Sequence, residues 1–172
     1  MITMKRAAGI ILALALVAGV LSIASCSGGN EGLRIDSNAP DFKLKNLDGN
    51  TISLNSYKGQ SVLLNFWNSS ANSGVRDRPF FQELYNSWSG RNDLVLLTVD
   101  IGEDQATVKG FMESNKYTFP VLLDTQYEVA ARYSVQYVPT SVLIGKDGKI
   151  KLNTIGEFKN KEAIERQLAS LL

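Results

Sequence analysis

The sequence predicts an α/β domain in which a mixed central sheet is flanked by helices. Three observations point there. Two mostly apolar runs, Ser61–Trp67 and Leu94–Asp100, read as strands buried on both faces. Each is followed by a segment with apolar residues at helical spacing. The chain then closes with a hairpin and an amphipathic helix. The resulting order, β-α-β-α-β-β-α, is that of a sheet covered by helices.

Taken in order, residues 38–60 read as two short strands about a turn. Phe42 and Leu44 alternate with polar neighbours, Asp48-Gly49 is a turn signal, and Ile52 and Leu54 alternate again. This hairpin is an N-terminal extension of the core sheet. After the Ser61–Trp67 strand, Asn68 to Ser73 reads as a polar loop. The spacing of Phe80, Phe81, Leu84 and Trp88 predicts a helix from about Ser73 to Trp88, with a kink at Pro79. Leu94–Asp100 is the next strand. A helix over 104–115 presents Val108, Phe111 and Met112 on one face. Pro120 to Leu123 is a short strand, followed by a helix over 127–133. Ser141–Ile144 and Ile150–Ile155 form a hairpin about Asp147-Gly148. A last helix over 160–172 turns Ile164, Leu168 and Leu171 inward.

The first residues read as a processing signal. Lys5 and Arg6 precede an uncharged run, Ala7 to Ala24, which ends in Ile23-Ala24-Ser25-Cys26. A plain membrane anchor with an incidental Cys would also be apolar, but small residues and Cys coincide where a signal peptidase would cut. This junction resembles the lipobox of bacterial lipoproteins. The resemblance implies a signal peptide over residues 1–25, a lipid on Cys26, and Cys26 as the first mature residue. Residues 26–37 then form a tether, rich in Ser and Gly at Ser27-Gly28-Gly29-Asn30, and residues 38–172 the folded domain. The expected location is the extracytoplasmic face of a membrane, with the membrane itself as a partner through the lipid.

The full chain carries 18 Lys and Arg against 17 Asp and Glu. That balance implies no polyanion, and so no nucleic-acid, partner. It has one Cys and no His. With Cys26 lipidated, the mature chain has no free thiol, which removes Cys nucleophiles, Ser-His and Cys-His triads and the usual zinc sites. No cofactor or metal is expected. Asp100, Glu103 and Asp104 suggest a cation site, but they do not match a calcium-binding loop, and Asp104 is better placed as a helix N-cap.

Several separated motifs resemble, in order, the TlpA/ResA-like and redoxin families. They are Ala39-Pro40-Asp41-Phe42, Asp48-Gly49, Leu63-Leu64-Asn65-Phe66-Trp67, Phe119-Pro120-Val121-Leu122-Leu123-Asp124, Val138-Pro139-Thr140 and Asp147-Gly148-Lys149. The resemblance spans residues 36–172 and implies a thioredoxin-like fold with thiol–disulfide oxidoreductase activity. It also implies a Cys-x-x-Cys pair after the Asn-Phe-Trp strand. Counting back from Pro79, Ala71 stands at the first Cys position and Gly74 at the second, with Ser70 in place of a tryptophan and Asp77 where the family often has Glu. Disulfide exchange needs an attacking thiolate and a resolving thiol. The stretch Ala71-Asn72-Ser73-Gly74 supplies neither, so no catalytic residue is assigned.

The resemblance further implies a cis peptide before Pro139, facing the loop. The backbone of Val138 would then pair with an extended peptide. The expected groove comprises Ser70, Ala71, Asn72, Ser73, Gly74, Asp77, Val138, Pro139 and Thr140. Ser69, Ser70 and Ser73 read as helix caps, Arg76-Asp77-Arg78 as a charge run on a solvated face, and Tyr133 and Tyr137 as groove-lining or packing residues; the resemblance implies that Asp77 lies partly inside, where it can pair with a nearby Lys or Arg. The expected function is a redox-inactive, membrane-tethered module that holds an extracytoplasmic protein. The alternatives are an oxidoreductase working in extracytoplasmic redox homeostasis and a structural lipoprotein.

Replacing Cys26 with Ser is expected to abolish incorporation of a tagged fatty acid and to leave an unprocessed precursor. Equal labelling of the two proteins would refute the lipobox assignment.

Overall fold

A computed structural model describes residues 33–71 and 75–169 of the chain. Cys26, Asn72, Ser73, Gly74 and the final turn of the last expected helix lie outside the described residues. Seven strands form one sheet: β1 Lys43–Asn46, β2 Thr51–Ser53, β3 Ser61–Trp67, β4 Leu94–Ile101, β5 Val121–Asp124, β6 Thr140–Ile144 and β7 Ile150–Ile155. Four α-helices join them: α1 Arg78–Trp88, α2 Gln105–Asn115, α3 Glu128–Arg132 and α4 Lys161–Ala169.

The strand order is β2-β1-β5-β4-β3-β6-β7. β3, β4 and β5 run parallel, with crossover helices between them. β6 pairs antiparallel with β3, and β7 with β6. The N-terminal hairpin does more than precede the core. β1 pairs antiparallel with β5 and so lengthens the sheet at its far edge. Its turn is built locally, since the Asn46 side-chain oxygen accepts from the Asp48 and Asn50 amides and Gly49 takes a positive φ of 82°. Before reaching β1 the chain crosses the opposite edge, where Asp36 and Ser37 exchange backbone hydrogen bonds with Ile150.

β3 lies in the interior of the sheet beside the middle strand β4, and all seven of its residues are buried. Its side chains alternate between two cores. Leu63 and Trp67 face a cluster with Phe81 and Leu84 of α1, Val108 and Met112 of α2, and Ile164 and Leu168 of α4. Val62, Leu64 and Phe66 face a second cluster with Phe42, Val99, and Val129 and Tyr133 near α3.

Two expectations change. α1 begins at Arg78 rather than near Ser73, and Pro79 sits in its first turn instead of kinking its interior. In the first turn the missing proline N–H has no intrahelical partner to lose, and its fixed φ favours the helix start. The free N–H groups of α1 therefore do not lie at Ala71. The charge run divides: Arg76 is exposed, whereas Asp77 and Arg78 are wholly buried.

Candidate functional site

β3 and β4 run parallel and end side by side, Trp67 opposite Asp100. Clefts in α/β sheets form at such carboxyl ends. The loop leaving β3 is held there by polar side chains. Asn68 Nδ2 donates to the Ile101 carbonyl at 2.8 Å, and the Ser70 amide donates to Asn68 Oδ1 at 2.9 Å. The Ser69 amide donates to Glu103 Oε2 at 2.7 Å. The hydroxyls of Ser69 and Ser70 donate to Glu103 Oε1 at 2.9 and 2.6 Å. Ser69 and Ser70 are thus not helix caps. They tie the loop to the residue that follows the β4 turn.

The three acids expected as a loose group have separate tasks. Asp104 caps α2, accepting from the Thr107 amide at 2.8 Å. Burial acts to raise the Glu103 carboxyl, but hydrogen bonds from Ser70, Asp100 and Ser69 outweigh it and hold it below its ordinary value. Asp100 is fully buried, and no side chain among the described residues donates to either of its oxygens. Its pKa is pushed up to about 8, by burial first and then by its hydrogen bond and charge contact with Glu103. A neutral Asp100 carboxyl avoids the repulsion that two ionised carboxylates would have there. Among the described residues no group of three or more His, Cys, Asp or Glu is placed to hold a metal ion.

Asp77 lies at the start of α1. Arg78 Nε and Nη2 donate to Asp77 Oδ1 at 3.2 and 2.9 Å. The Phe158 amide approaches Asp77 Oδ2 at 3.5 Å. The guanidinium packs against the rings of Trp67 at 5.0 Å and Phe81 at 4.8 Å. Burial raises the Asp77 carboxyl and lowers the Arg78 guanidinium, and their mutual attraction opposes both shifts. The pair sits in the interior and is not part of a solvent-facing groove. The sequence signal for this was the run Pro79-Phe80-Phe81, which places the first helical turn against the core.

The Val138–Pro139 peptide is cis. Thr140 is buried, and its hydroxyl donates to the Tyr137 carbonyl at 2.7 Å. Ser70, Ala71 and Val138 line one cleft of about 490 Å³, with Asn68, Ile101 and Tyr137 among its other walls. Tyr133 is not at the cleft. It is buried, and its hydroxyl donates to the Pro40 carbonyl at 2.7 Å. Sequence reasoning missed Ile101 as cleft lining and Glu103 as the anchor of the loop. Neither carries a local signal, since both act across the β3–β4 junction.

Asp100 sets a pH dependence. Its folded pKa stands above its unfolded value, so the folded state binds the extra proton between the ordinary carboxylate range and about 8. Stability from this group is fully present below the unfolded pKa and is lost as pH rises through that window. Asn at position 100 can donate to Glu103 at every pH. Asp100→Asn is therefore expected to raise the urea midpoint at pH 9 relative to wild type and to flatten the decline between pH 5 and 9. Parallel curves for the two proteins would show that Asp100 does not carry the proton.

The geometry matches known proteins along most of the chain. The sequence profile of the AhpC/TSA family matches residues 35–153. The thiol-disulfide oxidoreductase ResA of Geobacillus kaustophilus is 37% identical over 137 residues, covering 80% of this chain and 78% of that protein. The exposed lipoprotein thioredoxin of Streptococcus pneumoniae superposes with a TM-score of 0.68 at 32% identity, covering 77% of this chain and all of that one. StoA of Bacillus subtilis superposes at 0.66 with 30% identity, covering 76% of this chain and 97% of its own. The chain belongs to the AhpC/TSA family, with the thioredoxin-like fold of its ResA-like thiol-disulfide oxidoreductase relatives.

Proposed function

We propose that this protein is a lipid-anchored, extracytoplasmic member of the family that has given up thiol–disulfide exchange and retains peptide binding. One observation carries the reading. The loop Asn68–Ala71 and Val138 still frame a cleft, while the residue at the rim where the family resemblance puts the first cysteine is Ala71. Exchange proceeds through a mixed disulfide and needs a thiolate to form it. The only cysteine in the chain is Cys26, which on this reading is acylated. Extended peptides bind to strand ends and sheet edges mainly through backbone contacts and side-chain pockets, without a reactive group.

The second reading keeps the activity named for the relatives, in extracytoplasmic redox homeostasis, and is favoured by the 37% identity to ResA. It requires a thiol supplied by another molecule. A third reading makes the domain a spacer on a lipid anchor.

The three separate in one set of measurements. The Cys26→Ser chain is expected to reduce insulin disulfides no faster than buffer, and reproducible turnover would overturn the redox-inactive reading. A photo-crosslinking amino acid placed at Ala71 in the native envelope is expected to capture protein. The same group at exposed Lys58, at the other end of β3, is expected to capture none. Silence at Ala71 would leave only the spacer.

A further inference from the structure

The walls of the cleft are chemically one-sided. Its deeper lining is Ile101, Ala130, Val135 and Val138, and its remaining lining is Asn68, Ser70, Ala71, Gln136 and two tyrosines, Tyr127 and Tyr137. Among the described residues no lining side chain carries a charge. The Glu103 carboxylate accepts from Ser69 and Ser70, and that of Asp124 accepts from the Val129 and Ala130 amides. Tyr127 and Tyr137 are 58% and 66% exposed, unusual for rings of this size. Neither hydroxyl makes a hydrogen bond among the described residues, whereas the hydroxyl of Tyr133 does.

The backbone that carries Tyr127 is fixed locally. Tyr127 has a φ of 60°, a left-handed conformation that is uncommon for a non-glycine residue. Its amide and the Gly102 amide both donate to the Asp124 carbonyl, at 3.1 Å each. The buried Asp124 carboxylate in turn accepts from the Val129 and Ala130 amides. Gly102 has a φ of 82°, and a methyl group there would run into the Tyr127 hydroxyl and ring, with Cε2 only 3.0 Å away. Gly102 therefore leaves the space that the ring occupies, and a side chain there would displace the ring from the cleft wall.

We propose that this cleft is selective for an uncharged, proline-bearing extended peptide segment that docks on the Tyr127 and Tyr137 rings. The inference rests on the peptide-binding reading and names its ligand class. A charged side chain entering such a lining would lose water without gaining a counter-ion. Proline brings no N–H to be left unpaired over Ile101, Ala130 and Val135, and aromatic-lined grooves are the usual docks for proline-rich segments. The free tyrosine hydroxyls can donate to the peptide carbonyls.

The test is fluorescence anisotropy with the full chain in detergent and a labelled, end-blocked peptide of alternating alanine and proline. Exchanging its two central residues for lysine or for aspartate is expected to weaken binding about tenfold or more. Tyr127→Ala and Tyr137→Ala are each expected to weaken it about fivefold, while Tyr127→Phe keeps most of the affinity. Gly102→Ala should match Tyr127→Ala, and where it does not fold, Tyr127→Ala carries the test. Equal affinity for charged and uncharged peptides, or indifference to both tyrosine variants, would overturn the ligand class. So would absence of peptide binding while Ala71 still crosslinks envelope proteins, an outcome that leaves the binding reading standing. Absence of both would remove the two together.

Discussion

The parallel pairing of β3 with β4 is the constraint on which the rest of the structure depends. Seven consecutive residue pairs, Ser61 with Leu94 through Trp67 with Asp100, lock the two strands in register. Because β3 lies in the interior of the sheet, every one of its side chains must be accommodated in a core, three on one face and the others on the opposite one. A slip of one residue would exchange those faces. The same register brings the end of β3 beside the end of β4, and only there can the Asn68–Ala71 loop meet Ile101 and Glu103.

From that junction the polar chemistry divides into two enclosed units. On one side the buried Asp100 carboxyl, its pKa pushed up to about 8, lies beside Glu103, which receives both serine hydroxyls. On the other, Asp77 and Arg78 neutralise one another within an aromatic cage of Trp67 and Phe81. Buried ion pairs of this kind add little net stability, because desolvation offsets most of the attraction, yet removing one partner alone is costly. Both units therefore act chiefly to specify geometry. Glu103 holds the loop in position, and the Asp77–Arg78 pair seats the start of α1 on Trp67 and Phe81.

The proposed redox-inactive role and the presence of the cleft are physically compatible. Thiol exchange depends on atoms that only cysteine supplies. The cleft depends on main-chain positions at Ala71 and Val138 and on packing by Ile101, none of which requires a thiol. A family scaffold can therefore lose its reaction at Ala71 without losing the surface that surrounds it.

Much of the fold was legible along the chain. β3 and β4 announced themselves as apolar runs because both faces are buried, and the Asp48-Gly49 turn and the β6–β7 hairpin followed from local turn chemistry. The absence of a second cysteine, and so of a Cys-x-x-Cys pair, is likewise a property of the sequence alone. Other features were settled only by packing across elements. Arg78 reads along the chain as a surface charge, and only the seating of α1 on Trp67 buries it beside Asp77, since burial belongs to the tertiary neighbourhood and not to the residue. Ser69 and Ser70 read as caps because their acceptor, Glu103, lies more than thirty positions away, on the far side of α1 and β4. Tyr133 and Tyr137, four residues apart and alike in composition, part company for the same reason. One turns into the core beneath Pro40 and the other stands at the cleft, and only the three-dimensional path of the chain after α3 separates them.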